Sequence, residues 1–230
     1  MNDFFTVSAY FGVVLSIGAY VAGCWINKRL KKSIFNPLLI SIVITIAVLA
    51  FGKIDYESYY SGAKIISWLL TPATVCLAVP LYEKIELLKE NWKAVFIGIF
   101  SGVLSSLLCV FAMAAMFKLS HAEYVTFLPK SITTAIGIGV SEELGGITTL
   151  TAAVIIITGV IGNVIAPFIC RLFKITNPVA KGIAIGTSSH AVGTARAMQM
   201  GETEGAMSSL SIVVSGLLTV VGASVFAQFM

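Results

Sequence analysis

Apolar runs long enough to cross a bilayer recur along this chain of 230 residues, and they settle its solvent before anything else. A spanning helix needs about 20 apolar residues, and residues 4–26, 94–117, 149–170 and 207–229 each supply such a run. Residues 37–52 supply a shorter one, opened by Pro37 at a position suited to the start of a helix. Residues 65–82 supply another, interrupted by Pro72 and Pro80 and carrying Thr71 and Thr74. A helix broken at Pro72 must satisfy its freed carbonyls against protein or water, so this stretch is expected to face the protein interior. Only 11% of the residues are charged, less than half of the roughly 25% found in soluble domains. Soluble enzymes, nucleic-acid readers and disordered regulators therefore fit poorly.

The net charge of +4 does not describe a polyanion-binding patch, because four of the fifteen Lys and Arg cluster at Lys28, Arg29, Lys31 and Lys32, where they read as a topology signal. No positive charge precedes the first run and no small-residue cleavage site follows it, so it is expected to be an uncleaved span. Cys24, Cys76, Cys109 and Cys170 all lie in apolar stretches without CxxC spacing, as expected of membrane-embedded hydrophobes. Gly98 and Gly102 form a GxxxG pair, which either admits a close helix or lies passively against lipid.

Two stretches break the apolar pattern, residues 129–148 and 181–206, mixing Gly, Thr and Ser with ionisable side chains. Each Arg or Glu at bilayer depth costs about 2.5 to 3.5 kcal/mol on insertion scales, so both must be shielded from lipid. If both cross fully, basic residues divide evenly between the two sides. If both enter and leave on one side, Arg171, Lys174 and Lys181 join the cytoplasmic set, giving ten against four. The positive-inside rule favours this re-entrant arrangement. The expected fold is an all-α polytopic membrane protein with about six full spans and two re-entrant or broken segments. It divides into an N-terminal two-span region at 1–64, a broken span and a GxxxG span at 65–128, and the polar part at 129–230, within a single membrane domain.

An internal similarity links the two polar stretches. At an offset of sixty residues Thr134 matches Thr194, Glu142 matches Glu202, Gly145 matches Gly205, Leu150 matches Leu210 and Gly162 matches Gly222. Each unit would hold one re-entrant stretch and one full crossing, an odd number of crossings, so the second unit would lie inverted. Inverted repeats with broken polar segments are a signature of secondary transporters; the alternative is chance similarity between two Gly/Thr-rich stretches.

The densest polar run, from Gly186 through Ser189, His190, Gly193 and Thr194 to Arg196, combines small residues that let backbone approach a ligand with hydroxyl donors and a guanidinium fork. Together these describe an anion site. His190 either carries a proton or is a neutral histidine satisfied by backbone carbonyls. Arg196 either binds an anion, snorkels to a lipid headgroup or pairs structurally with Glu142 or Glu202. Lys130, Ser131, Thr133 and Thr134 make a second donor set, with Lys130 either an interfacial anchor or a charge that draws in anions. Gly145 and Gly146 read as a break in the helix, and Glu142, Glu143, Glu202 and Glu204 either as turn or cap residues at helix N-termini or as proton-coupling groups. His121 and Glu123 are expected in an exposed loop without a specific role. No nucleophilic elbow and no H-E-x-x-H metal motif occurs.

Several of these runs, in this order, resemble the LrgB/CidB family of bacterial inner-membrane proteins: residues 129–134, Glu143-Leu144-Gly145-Gly146, residues 186–196 and residues 201–206. The resemblance extends from Thr71-Pro72-Ala73-Thr74 to the C-terminus, and more loosely over the first two spans. Ala135, Glu143 and Ser188 depart from the family's frequent Pro, Gln and Ala, and the last span lacks a common Pro. The resemblance implies a multi-pass protein of the bacterial cytoplasmic membrane that works with a small LrgA/CidA-like membrane partner and with further copies of itself. It implies either transport of a small monocarboxylate such as pyruvate or glycolate, or antiholin-like regulation of murein hydrolases and lysis. No cofactor, metal, nucleic acid or enzymatic activity is expected.

Overall fold

The computed structural model describes residues 10–30, 37–69, 72, 75–76, 78–83 and 85–230, and every regular element among them is helical. The chain divides into two compact units, Met1–Cys76 and Leu77–Met230. In the first, α1 (Phe11–Leu30) packs on α2 (Pro37–Gly52) and on α3 (Tyr56–Trp68). Ser16 joins α1 to α3 through the Tyr59 hydroxyl at 2.8 Å.

The second unit contains α4 (Ala78–Glu83), α5 (Ile85–Phe117), α6 (His121–Phe127), α7 (Thr134–Glu143), α8 (Thr148–Leu172), α9 (Pro178–Met200) and α10 (Glu202–Phe226), closed by a 3-10 turn at Ala227–Phe229. Four stretches are long and apolar enough to cross a membrane: α1, Lys89–Phe117 within α5, α8, and Glu202–Phe229. In the second unit the spans are apolar outside and polar within. Phe96, Ile97, Ile157, Phe168, Leu217 and Val221 are exposed, whereas Thr151, Asn163, Ser208, Ser211, Ser215 and Thr219 are buried. In water each such exposed side chain forgoes about 1.5 to 3 kcal/mol of burial; against lipid that cost vanishes.

Two helical hairpins lie among the long helices. The first is α6, residues 128–133 and α7. Its foot is tied to the start of α8 by Thr126, whose Oγ1 accepts from Ile147 N at 2.8 Å and whose carbonyl accepts from Thr151 Oγ1 at 3.1 Å. The chain then turns back so that Gly137 stands beside Pro129. Ser120 caps α6 in a reciprocal box with Glu123, and those hydrogen bonds hold the Glu123 carboxyl below its ordinary range. His121 Nδ1 meets the Met230 carbonyl at 2.6 Å. The expected loop at His121 and Glu123 is therefore a capped helix docked on the end of the chain.

The second hairpin is α9 itself. At His190 the backbone takes φ 42 and ψ −142, and the helix doubles back on itself. A straight helix would place Gly193 about 12 Å from Ile185 at 1.5 Å per residue; instead a Cβ on Gly193 would stand 3.0 Å from the Ile185 side chain. Ala197 and Met200 likewise pack against Ile185 and Ala166. Arms 178–189 and 191–200 are about 18 and 15 Å long, each roughly half a hydrocarbon core of about 30 Å.

The hairpins reach α8 from opposite ends. The first touches Thr151 and Ile155, while the second holds the Ile155 carbonyl with its tip, continues past Gly159 and Gly162, and has its foot by Ala166 and Arg171. On α5, Gly98 and Gly102 receive Ile183 and Thr187 of the second hairpin, and Ser106 bonds Ser131 of the first at 3.1 Å. The GxxxG pair thus admits a close helix.

Candidate functional site

Where the two hairpins meet, the chain leaves space. A cavity of about 720 Å³ extends from Asn91 and Asn177 at the foot of the second hairpin to Lys130, Ser131 and Ser106 at the tip of the first, passing Thr187 and Ser188. A smaller one, about 380 Å³, lies against α8 at Gly162 and shares Lys130 and Ser188 with it while adding Ser189. Lys130 is the one charged side chain lining either cavity among the described residues. Its Nζ donates to Ser131 Oγ at 3.1 Å, and no carboxylate among the described residues lies within ion-pair distance. The Thr187 Oγ1 is buried without a partner. Thr133 caps α7 by backbone position alone, with no side-chain bond, so the amide donors of that first turn open toward the same tip.

The other residues singled out in the sequence are placed differently. Thr133 and Thr134 start α7 half-buried and line neither cavity. His190 is buried, with Nε2 3.0 Å from the Ile155 carbonyl and its ring against Gly159. Thr194 Oγ1 donates to the His190 carbonyl at 2.9 Å and meets Ser208 Oγ at 2.7 Å. Asn163 donates to the Val192 carbonyl. The tip of the second hairpin is thus bonded into α8 and α10. Gly186 and Gly193 let the arms approach: a side chain at Gly186 would strike the Ser208 carbonyl, and one at Gly193 the Ser189 Cβ.

Gly145, at φ 80, ends α7 in a Schellman turn, with its own N–H bonded to the Glu142 carbonyl and Gly146 N–H to the Ser141 carbonyl. Glu202 and Glu204 sit in the first turn of α10 as expected, but Glu142 and Glu143 close the C-terminal end of α7 instead of opening a helix. Pro72 is helical, and it is exposed, as are Leu69, Val75, Val79 and Tyr82, so the described part of this stretch does not face the protein interior as expected; Thr71, Ala73 and Thr74 lie outside the described residues.

Arg196 does not share the cavity of Lys130. It lines a third cavity of about 700 Å³ at the foot of the second hairpin, with Arg171, Lys174, Lys181 and Glu204. In the sequence Arg171, Lys174 and Lys181 bear only on sidedness. Thr187 and Ser188, part of the polar run expected to donate hydroxyls, do line the cavity of Lys130, whereas Ser106 does so without having been singled out in the sequence. Ser106 carried a signal, a hydroxyl in an uncharged span one turn beyond the GxxxG pair.

The LrgB-like family model matches residues 16–229 of this chain. The chain belongs to the LrgB-like family. Among curated LrgB-like relatives, it is 38% identical over 224 residues to the antiholin-like protein LrgB of Bacillus subtilis (strain 168), covering 97% of each chain. It is 37% identical over 225 residues to the antiholin-like proteins LrgB of Bacillus cereus (strain B4264) and Bacillus anthracis (strain CDC 684 / NRRL 3495), covering 97% of this chain and 98% of theirs. No solved structure matches. Family membership and the four apolar helices together make this LrgB-like chain a multi-pass membrane protein.

Proposed function

We propose that the chain is the carrier subunit for a small monocarboxylate of the pyruvate or glycolate kind. The observation that carries this reading is Lys130, a lone cation where two opposed hairpins meet, lining both inner cavities beside Ser131, Ser188 and the unpartnered Thr187 hydroxyl. One cation with neutral donors matches one carboxylate: the ammonium supplies charge and the hydroxyls fix orientation. A purely lytic or regulatory assembly has no need of a polar cavity at membrane depth.

In this reading residues 129–170 and 181–230 are inverted units. The chain crosses six times, through α1, α2, the stretch around 65–82, α5, α8 and α10, with both termini outside. The first hairpin enters from outside and the second from the cytoplasm, and the larger cavity faces the cytoplasm through Asn91 and Asn177. The second hairpin's arms, about half a membrane long, support a tip near the midplane, where inverted-repeat carriers hold substrate. A small LrgA/CidA-like membrane protein and further copies of the chain complete the assembly in the cytoplasmic membrane.

The relatives are named antiholin-like, which favours a second reading, the one the family resemblance implies: a regulator of murein hydrolase activity and lysis. Uptake of labelled pyruvate into proteoliposomes, with and without the small partner, separates the two. Uptake that saturates and is lost in Lys130→Gln supports the carrier; uptake no greater than in empty liposomes, with the partner present, sinks it.

A further inference from the structure

We propose that the cavity at the foot of the second hairpin binds a phosphate-bearing anion, either the headgroup of an anionic lipid or phosphate from solution. Four cations converge there from the end of α8 and both arms of α9: Arg171 in the last turn of α8, Lys174 just beyond it, Lys181 on the first arm of the hairpin and Arg196 on the second. They face one carboxylate, Glu204, whose nearest approach is 3.8 Å to Lys181. Arg171, Lys174 and Arg196 have no carboxylate within 4.0 Å among the described residues. Arg196 spends Nη1 on Gln199 at 2.9 Å, and its Nε is buried with no partner. A buried charged donor without an acceptor is costly, and a bound oxyanion removes that cost.

The excess of charge identifies the ligand class. The inner cavities offer one cation, enough for a monocarboxylate. Four cations against one carboxylate exceed that need and match a phosphate, with more acceptor oxygens and an arginine fork to receive them. Phe168, Leu172 and Phe173, exposed at the same end of α8, offer a surface along which acyl chains can lie. A bound phosphate would tie α8 to both arms of the hairpin and to the start of α10. This inference concerns a site apart from the carboxylate cavity and does not rest on the carrier reading.

The test uses the purified full chain in neutral detergent, following its thermal midpoint against added phosphatidylglycerol, phosphatidylcholine, or inorganic phosphate balanced with chloride for ionic strength. A ligand that binds the folded state raises the midpoint as its concentration passes the dissociation constant. Phosphatidylglycerol is expected to raise it where phosphatidylcholine does not, and Arg171→Gln/Arg196→Gln to weaken that binding about tenfold or more. Glu204→Gln, which removes the one opposing charge, should tighten it. Should the double variant fail to fold, the exposed Lys174→Gln carries the same test, weakening binding about two- to fivefold. Saturable stabilisation by inorganic phosphate in place of the lipid supports the site and assigns its source to solution. The proposal is overturned if neither phosphate source outperforms phosphatidylcholine and chloride, or if the charge variants bind as the native chain does. No transport is measured, so a protein that binds phosphate but takes up no pyruvate would refute the carrier reading alone.

Discussion

The two hairpins occupy matching places in the chain, with Lys130 and His190 sixty residues apart, yet their tips are built on opposite principles. The second reverses at a single strained residue and spends its polar groups on structure. His190 meets Ile155, Val192 receives Asn163, and Thr194 joins Ser208. The first reverses over residues 128–133 and leaves an ammonium facing open space with one hydroxyl for company. A tip whose groups are all bonded serves as a rigid wall, whereas a tip with an unspent charge can bind. The comparison teaches that polarity at membrane depth is no measure of function until hydrogen-bond partners are counted.

The largest expected effect falls on the unspent charge. Lys130→Gln should fold and insert normally yet lower pyruvate uptake per molecule about ten- to a hundredfold, the worth of a charge-assisted hydrogen bond. Native uptake by this variant would erase the distinction between the tips.

Sidedness is the next way to break the comparison. Single cysteines at Lys174, just beyond α8, and Lys118, just beyond α5, should label from the cytoplasm and from outside respectively. Labelling of both from one face would show that the hairpins do not oppose each other across the membrane.

Packing should separate the hairpins more gently. Gly186→Ala drives a methyl into the Ser208 carbonyl of α10, whereas Gly139→Ala on the first hairpin meets nothing within 4 Å. The former should lose about 1 to 3 kcal/mol of stability, and the latter should be neutral or gain up to about 1 kcal/mol from helix propensity. Thermal midpoints in detergent read both. Equal midpoints would mean that the second hairpin is not held tightly against α10.

His190 sharpens the same contrast. His190→Ala loses the Ile155 contact while keeping a side chain at φ 42, and should cost about 1 to 2 kcal/mol. His190→Gly, free at that φ, should melt above the Ala variant. The reverse order would argue against a strained reversal at this residue. The smallest effect is expected of Arg196→Lys, which preserves charge in a cavity apart from Lys130; uptake should stay within about twofold because the charge at that distance is unchanged and screened.

Much of the framework was legible in the chain itself. Apolar runs of sufficient length announced the long helices, and the Gly/Thr-rich interruptions marked where they would break, because lipid tolerates neither unpaired backbone nor isolated charge. Gly145 was readable as a helix break, since glycine reaches a left-handed conformation at little cost. His121 and Glu123 were misread as a loop, although Ser120 three residues ahead of Glu123 is a capping-box signature.

What the sequence could not decide was which polar side chains are already satisfied. Thr194 and Arg196 stand two residues apart in one Gly-rich run, and composition treats them alike. Only the fold puts Thr194 against Ser208 on α10 and Arg196 among the cations at the end of α8. Likewise Lys130, read as an anchor or a lure for anions, gains its isolation from Ser106 on α5 and Thr187 on α9, distant in sequence and close only because Gly102 lets the helices meet. Local sequence fixes where a chain can bend and which segments lipid accepts. Whether a donor is spent or free depends on partners brought from tens of residues away, and that is a property of the tertiary structure alone.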